Sequence, residues 1–335
     1  MFISKKSLVL LISLMLIITI TGCGGGGGSN EDDTYSITGA VTSADGVSGI
    51  EGVLITFGNG GTVKTDQNGE FKKSGLTAPD TLTVEHRTGW TFDTNTLDID
   101  ENNRNPIFHL TGFNEEFDYN DNDWDEINEL EVNSGITKGY YQFNFSEELY
   151  SALVLAPLGL STEYTLETSV RSTSREGEYG FAFNLTSWDQ YHHVLIIDPD
   201  AKTYEITRRY KLSGQKPNFV SVTGLKNCSA INTNGWNKIT LAVSGNRITL
   251  LKINDSADLI TTDIKIPNSE IYADHWAALY AGTWTGEDLV TIQFDKFSFS
   301  ANVTAGSSLI MRNMSYSKKM NLKKSSTGSS FRKRK

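Results

Sequence analysis

The sequence predicts an exported, all-β protein built as two sandwiches in series, a small one followed by a larger jelly roll. Three observations carry that prediction. Short runs that alternate apolar and polar residues continue from Thr34 to Ser300, separated by Gly, Asn and Asp turns, and such alternation marks half-buried strands. No segment of useful length follows the 3.6-residue period of a helix. With 13 Tyr, 16 Phe and 6 Trp, the chain is rich enough in aromatics to fill packed β cores and too rich to be disordered.

The first element is an export signal. Lys5 and Lys6 precede an apolar run from Ser7 to Thr21, and small Gly22 stands directly before Cys23, the layout of a secretory signal peptide over residues 1–22. The run is about 15 residues, short of the roughly 20 that a spanning helix needs. Ile20-Thr21-Gly22-Cys23 resembles the lipobox of bacterial lipoproteins, which implies a lipidated Cys23 as the first mature residue. Two or more acyl chains hold a protein firmly in a membrane. Residues 23–33, led by Gly24 to Gly28, read as a flexible tether. The resemblance implies a lipid-anchored protein of the cell envelope, and Gly24 after the cysteine resembles outer-membrane sorting. Cys228 is then left without a partner, so no disulfide framework is expected.

Charge is segregated along the chain. All 40 acidic residues fall between residues 31 and 300, with 19 Lys and Arg, a net of −21 for the body. That acidity argues against nucleic acid as a partner. The last 35 residues, 301–335, hold nine Lys and Arg and no acid. Residues 315–335 carry too little apolar surface to fold and are expected to be disordered.

Residues 34–112 form the first module. Tyr35 to Val41 alternates, Val53 to Phe57 follows a glycine turn, and Asp66-Gln67-Asn68-Gly69 is a strong turn before Phe71. Leu82 to Val84 and Ile107 to Leu110 complete roughly seven short strands, a count normal for a small Ig-like sandwich. Ile37 to Val41, Gly49 to Val53, Thr65 to Phe71 and Gly89-Trp90 together resemble the carboxypeptidase regulatory-like family. That resemblance implies a prealbumin-like spacer or docking domain. Asp66 and Asn68 are explained by turn geometry.

Residues 113–300 form the second module, with about a dozen strand-like runs, too many for one Ig unit and suited to a two-sheet jelly roll. Glu116 to Asp118 with Trp124, Tyr164 to Val170, Gly180 to Phe183, Trp236 to Leu250 and Val290 to Phe297 together resemble the concanavalin A-like lectin/glucanase superfamily. That group includes laminin-G-like and keto-disaccharide hydrolase domains. The matching positions are core and turn residues, so they speak to fold more than to function.

Three stretches invite a chemical reading. A retaining glucanase needs two carboxylates about 5 Å apart. No strand offers the Glu-x-Asp-x-Glu alternation that would place them along one inner face, so no catalytic residues are assigned. Trp188, Asp189, Gln190, Tyr191 and His192, joined by Trp276 and Trp284, form a candidate ligand site, since rings stack on sugar faces while Asp, Gln and His bond hydroxyls. Buried core aromatics are the competing reading. Asp118, Asn120, Asp121 and Asp123 lie in the densest oxygen cluster of the chain. A structural Ca²⁺ loop and a solvated acidic linker both remain open there. No other cofactor is implied.

The expectation from sequence is therefore a non-catalytic, membrane-anchored carbohydrate binder whose partners are a lipid membrane and a polysaccharide or glycan. Two alternatives stand beside it: a glycoside-processing enzyme of the keto-disaccharide hydrolase type, and a structural or adhesive surface protein.

Overall fold

The computed structural model describes residues 34–322, apart from residues 45, 47–48, 86, 149, 161–162, 175, 186–190, 211–217, 246, 261–263, 266–274, 285–288 and 302–320. Cys23 with its signal and tether, and most of the basic tail, lie outside the described residues. Among the described residues every regular element is a strand.

The N-terminal part comprises β1 (Tyr35–Ser43), β2 (Leu54–Phe57), β3 (Thr62–Lys64), β4 (Glu70–Leu76), β5 (Asp80–Glu85), β6 (Trp90–Phe92), β7 (Thr96–Ile99) and β8 (Ile107–Glu115). Strands β3-β2-β5-β7 form a four-stranded sheet. Its Ile55, Phe57, Leu82 and Val84 share a core with Ile37, Val41, Phe71 and Phe108 of β1, β4 and β8. The Asp66 carboxylate accepts the backbone N–H groups of Asn68 and Glu70 at 2.8 and 2.9 Å, so the turn consumes it. Gly69 has φ +74°, and a Cβ there would lie 2.3 Å from the Val41 carbonyl oxygen. Only glycine fits that corner.

The C-terminal part comprises β9 (Ile127–Asn128), β10 (Val132–Thr137), β11 (Tyr140–Phe145), β12 (Ser151–Leu160), β13 (Glu163–Ser172), β14 (Glu178–Leu185), β15 (Tyr191–Asp198) and β16 (Thr203–Tyr210). It continues with β17 (Asn218–Ser221), β18 (Lys226–Asn227), β19 (Asn237–Ser244), β20 (Arg247–Ile253), β21 (Ile264–Lys265), β22 (His275–Gly282), β23 (Val290–Ala301) and β24 (Asn321–Leu322). One sheet runs β21-β20-β19-β13-β23-β11-β10-β9 and the facing sheet β17-β16-β15-β14-β22-β12-β24. Leu166, Val170, Phe143, Phe294 and Phe297 of the first meet Tyr179, Phe181, Leu195, Ile206 and Leu279 of the second in a common core. The Phe181 and Phe297 rings touch across the gap at 6.1 Å. The protein is all-β, and this part is a jelly-roll type sandwich.

Two features depart from the sequence reading. Asn321 and Leu322, in the tail expected to be disordered, pair with Ala152 and Ser151. An otherwise open edge of β12 supplies the unsatisfied backbone groups that recruit them. The boundary between Gly112 and Phe113 also falls inside one strand. β8 runs parallel to β1 from Ile107 to Leu110, then antiparallel to β23 from Gly112 to Glu115.

The joint is filled with rings. Phe113 contacts Trp90, Trp124 and Phe297 at 6.2, 6.4 and 6.2 Å. Beneath them Glu115, only 5% exposed, accepts from the Phe117 N–H (2.9 Å), the Asn122 amide (2.8 Å) and the Trp124 indole (3.0 Å). The Trp90 indole in turn donates to Asn122 Oδ1 at 2.9 Å. A buried carboxylate is tolerated only when its lone pairs are satisfied in this way.

Candidate functional site

Strand alternation sorts the β17–β24 sheet into two faces. Tyr179, Phe181 and Phe183 of β14, Leu195 and Ile197 of β15, and Ala277, Leu279 and Ala281 of β22 belong to the main core. Their neighbours therefore point to the outer face. There Leu153, Ala182, Leu185, Val194, Ala278 and Tyr280 make a second apolar cluster of their own.

A polar row crosses the same face at one end. Ser151 stands opposite Gly282, and Gly282 stands opposite Glu178. Tyr179 pairs with Ile197, so Glu178 and Asp198 are the next residues in that register. Asp198 stands opposite Thr203. Two carboxylates are thus brought to neighbouring positions on adjacent strands, which lie about 4.8 Å apart.

Glu178 is held deep in this row at 1% exposure. The Tyr280 hydroxyl donates to its Oε1. A Cβ at Gly282 would lie 2.8 Å from that same oxygen, so the glycine makes room for the side chain to lie across β22. Burial first, and then the Glu178 charge, push the Tyr280 hydroxyl well above its usual range, keeping it protonated as a donor at neutral pH. Asp198 is half-buried, and its Oδ1 accepts the Ala201 N–H at 2.9 Å in the following turn. Glu205 is also half-buried, opposite Ile196 on β16, and adds a third carboxylate to the face.

Of the ligand site expected from sequence, Trp188, Asp189 and Gln190 lie outside the described residues. Tyr191, His192 and Trp276 are placed by backbone register alone, opposite Tyr210, Arg209 and Leu185 respectively. Trp284 is half-buried just after β22. His193 lies buried, with its ring stacked on Phe183 at 5.4 Å. Burial first, and the Arg208 charge second, lower its pKa from 6.5 to about 3.

A folded-state pKa below the unfolded one means that the unfolded chain binds the extra proton between these values. Stability present above about pH 6.5 is then lost as pH falls toward 3, at up to about 1.4 kcal/mol per pH unit. Urea titrations at pH 7 and pH 5 should show this loss and show it reduced in His193→Phe. Equal pH slopes for the two proteins would count against it.

The acidic cluster is mostly structural where its partners are visible. The Asn120 side chain accepts the Trp124 N–H at 2.7 Å and donates to the Trp124 carbonyl at 3.0 Å. Asp123 pairs with Arg87 at 3.1 Å, while Asp118 and Asp121 are exposed. The segment is no solvated linker, because Asn122 and Trp124 anchor it in the joint. Among the described residues no group of three or more His, Cys, Asp or Glu is arranged to hold a metal ion.

No protein-family model matches the chain, and no curated protein does. Among solved structures it is similar to a glycoside hydrolase family 16 endo-glucanase from Bacteroides ovatus, at 11% identity and TM-score 0.41, over 56% of this chain and 99% of that one. The kappa-carrageenase from Pseudoalteromonas carrageenovora gives 10% and 0.40, over 56% and 92% of the two chains. The carbohydrate-binding module CBM66 from Bacillus subtilis gives 11% and 0.37, over 52% and 94%. At these values the likeness concerns architecture and assigns no residue.

The similar structures are named chiefly for glycoside hydrolases, and against them the expectation of a non-catalytic carbohydrate-binding domain is not retained. The sequence reading sought paired carboxylates along one strand, whereas Glu178 and Asp198 come to paired positions across β14 and β15, 20 positions apart in sequence. Glu178 ahead of an apolar strand and Asp198 at the turn closing the next were the only local signals.

Proposed function

We propose that this chain is a glycoside-processing enzyme with Glu178 and Asp198 as its reacting pair. The observation that supports the reading is the placement of these two carboxylates at paired positions of adjacent strands on one sheet face, where neighbouring strands lie about 4.8 Å apart. Glu178, fixed by Tyr280, attacks the anomeric carbon as Asp198 gives its proton to the departing glycosidic oxygen. Water then displaces Glu178 from the sugar, and Asp198 takes the proton of that water.

The test is release of reducing ends from neutral and sulfated polysaccharides by the full chain, beside Glu178→Gln and Asp198→Asn. Activity present in the parent and lost in both variants supports the reading. A parent inert on the whole panel, or variants as active as the parent, would sink it.

The resemblance of Ile20 to Cys23 to a lipobox supports a membrane anchor for this activity, with residues 34–112 as the positioning module. Labelled palmitate should enter the expressed protein and be lost in Cys23→Ser. Equal label in both would remove the anchor from the proposal.

A further inference from the structure

The outer face of the opposite sheet carries an aromatic and amide platform that the reacting pair does not use. Gly135 stands opposite Gln142 on β10 and β11, Gln142 opposite Gln293 on β23, and Gln293 opposite Arg171 on β13. Val170 pairs with Asn237, so Trp236 is the next residue in register with Arg171. One row therefore crosses four strands and ends at Trp236, just ahead of β19. The Arg171 guanidinium donates twice to Gln293 Oε1, at 3.0 and 2.9 Å. Gln293 donates to Gln142 Oε1 at 2.8 Å, and Gln142 to Asn144 Oδ1 at 2.8 Å. Thr291 donates to the same Asn144 oxygen at 3.1 Å.

Over this row lie two rings. Tyr140 and Trp236 approach at 5.4 Å with planes 32° apart, and Arg171 sits 4.4 Å from the Trp236 centroid. All six of these side chains, Tyr140, Gln142, Asn144, Arg171, Trp236 and Gln293, are half-exposed, an unusual surface on which to spend two large rings.

We propose that this platform is an accessory binding surface for a neutral polysaccharide chain, laid across the strands with its sugar faces on Tyr140 and Trp236. Amides offer both donors and acceptors, which suits hydroxyls that do the same. The chained polarity fixes which ends of Gln142, Gln293 and Asn144 face outward. A neutral ligand follows from charge. Arg171 is the only cation among these six side chains, and its guanidinium is already engaged by Gln293 and Trp236; the nearby Lys238 and Lys296 are paired with Glu167 and Glu116, and residues 31–300 as a whole carry a net of −21. An anionic chain would meet repulsion there.

The inference rests on the polysaccharide reading above, and the two are separated by measuring binding and not turnover. Full-length protein carrying Glu178→Gln is run in native gels containing mixed-linkage glucan, xylan, mannan or kappa-carrageenan. At least one neutral polymer should retard it, and Trp236→Ala should weaken that retardation about tenfold, which corresponds to about 1.4 kcal/mol. Gln142→Ala, which leaves both rings in place, should weaken it less, and it serves if Trp236→Ala does not fold. Unchanged retardation in both variants, stronger retardation by carrageenan than by the neutral polymers, or no retardation by any polymer would overturn the proposal.

Discussion

Trp124→Ala should lower the unfolding free energy by about 3–5 kcal/mol, the range for deleting a large buried aromatic. Trp124 is 2% exposed and meets Phe117, Tyr141 and Phe297 at 5.2, 5.8 and 5.4 Å. Its indole is also one of the donors that satisfy Glu115. The substitution therefore opens a cavity and strips a donor from a buried carboxylate at once. Trp124→Phe separates the two effects, since it keeps most of the volume and loses the hydrogen bond, with an expected loss of about 1–3 kcal/mol. Urea denaturation followed by two probes, one reporting on each half, should show both halves unfolding together. A Trp124→Ala loss below about 1 kcal/mol, or separate transitions in the parent protein, would contradict the joint described above.

The second large effect is on catalysis. In the proposed mechanism Asp198→Asn removes the group that moves the proton, and a loss of about 10²–10⁴-fold in kcat/KM is expected. Glu178→Gln removes the nucleophile and should cost at least as much. Retention of anomeric configuration, followed by proton NMR from the first turnover, is the sharper readout, because it depends on the spacing of the pair. An inverted product would mean that Glu178 and Asp198 do not act together, even if both variants were inactive. In that case Glu205, farther across the same face, would become the partner to examine.

The strands were legible because burial on one face writes a period of two into the chain. Tyr141, Phe143 and Phe145 are buried while Gln142 and Asn144 are half-exposed, as their alternation predicts. The Asp66 turn was legible for a similar reason, since its chemistry is settled within four residues. Contacts between distant segments were not. Asn122 lies in an acidic stretch that the sequence leaves open between a Ca²⁺ loop and a solvated linker, yet Trp90, some 30 residues earlier, draws Asn122 inside. Composition cannot report a partner of that kind. Glu178 and Asp198 were hidden in the same way, each looking like a strand-end charge until β14 and β15 are laid side by side.

Strand β8 carries a consequence for modularity. Genes that trade sandwich domains usually do so at linkers, where few contacts cross. Here a break between Gly112 and Phe113 would divide one strand whose first half completes the smaller sandwich and whose second half edges β23. It would also leave Trp90 facing no Phe113. The two halves are joined through one continuous strand. The direction in which the larger sandwich presents its faces is then set by the twist of one sheet and not by the swing of a hinge.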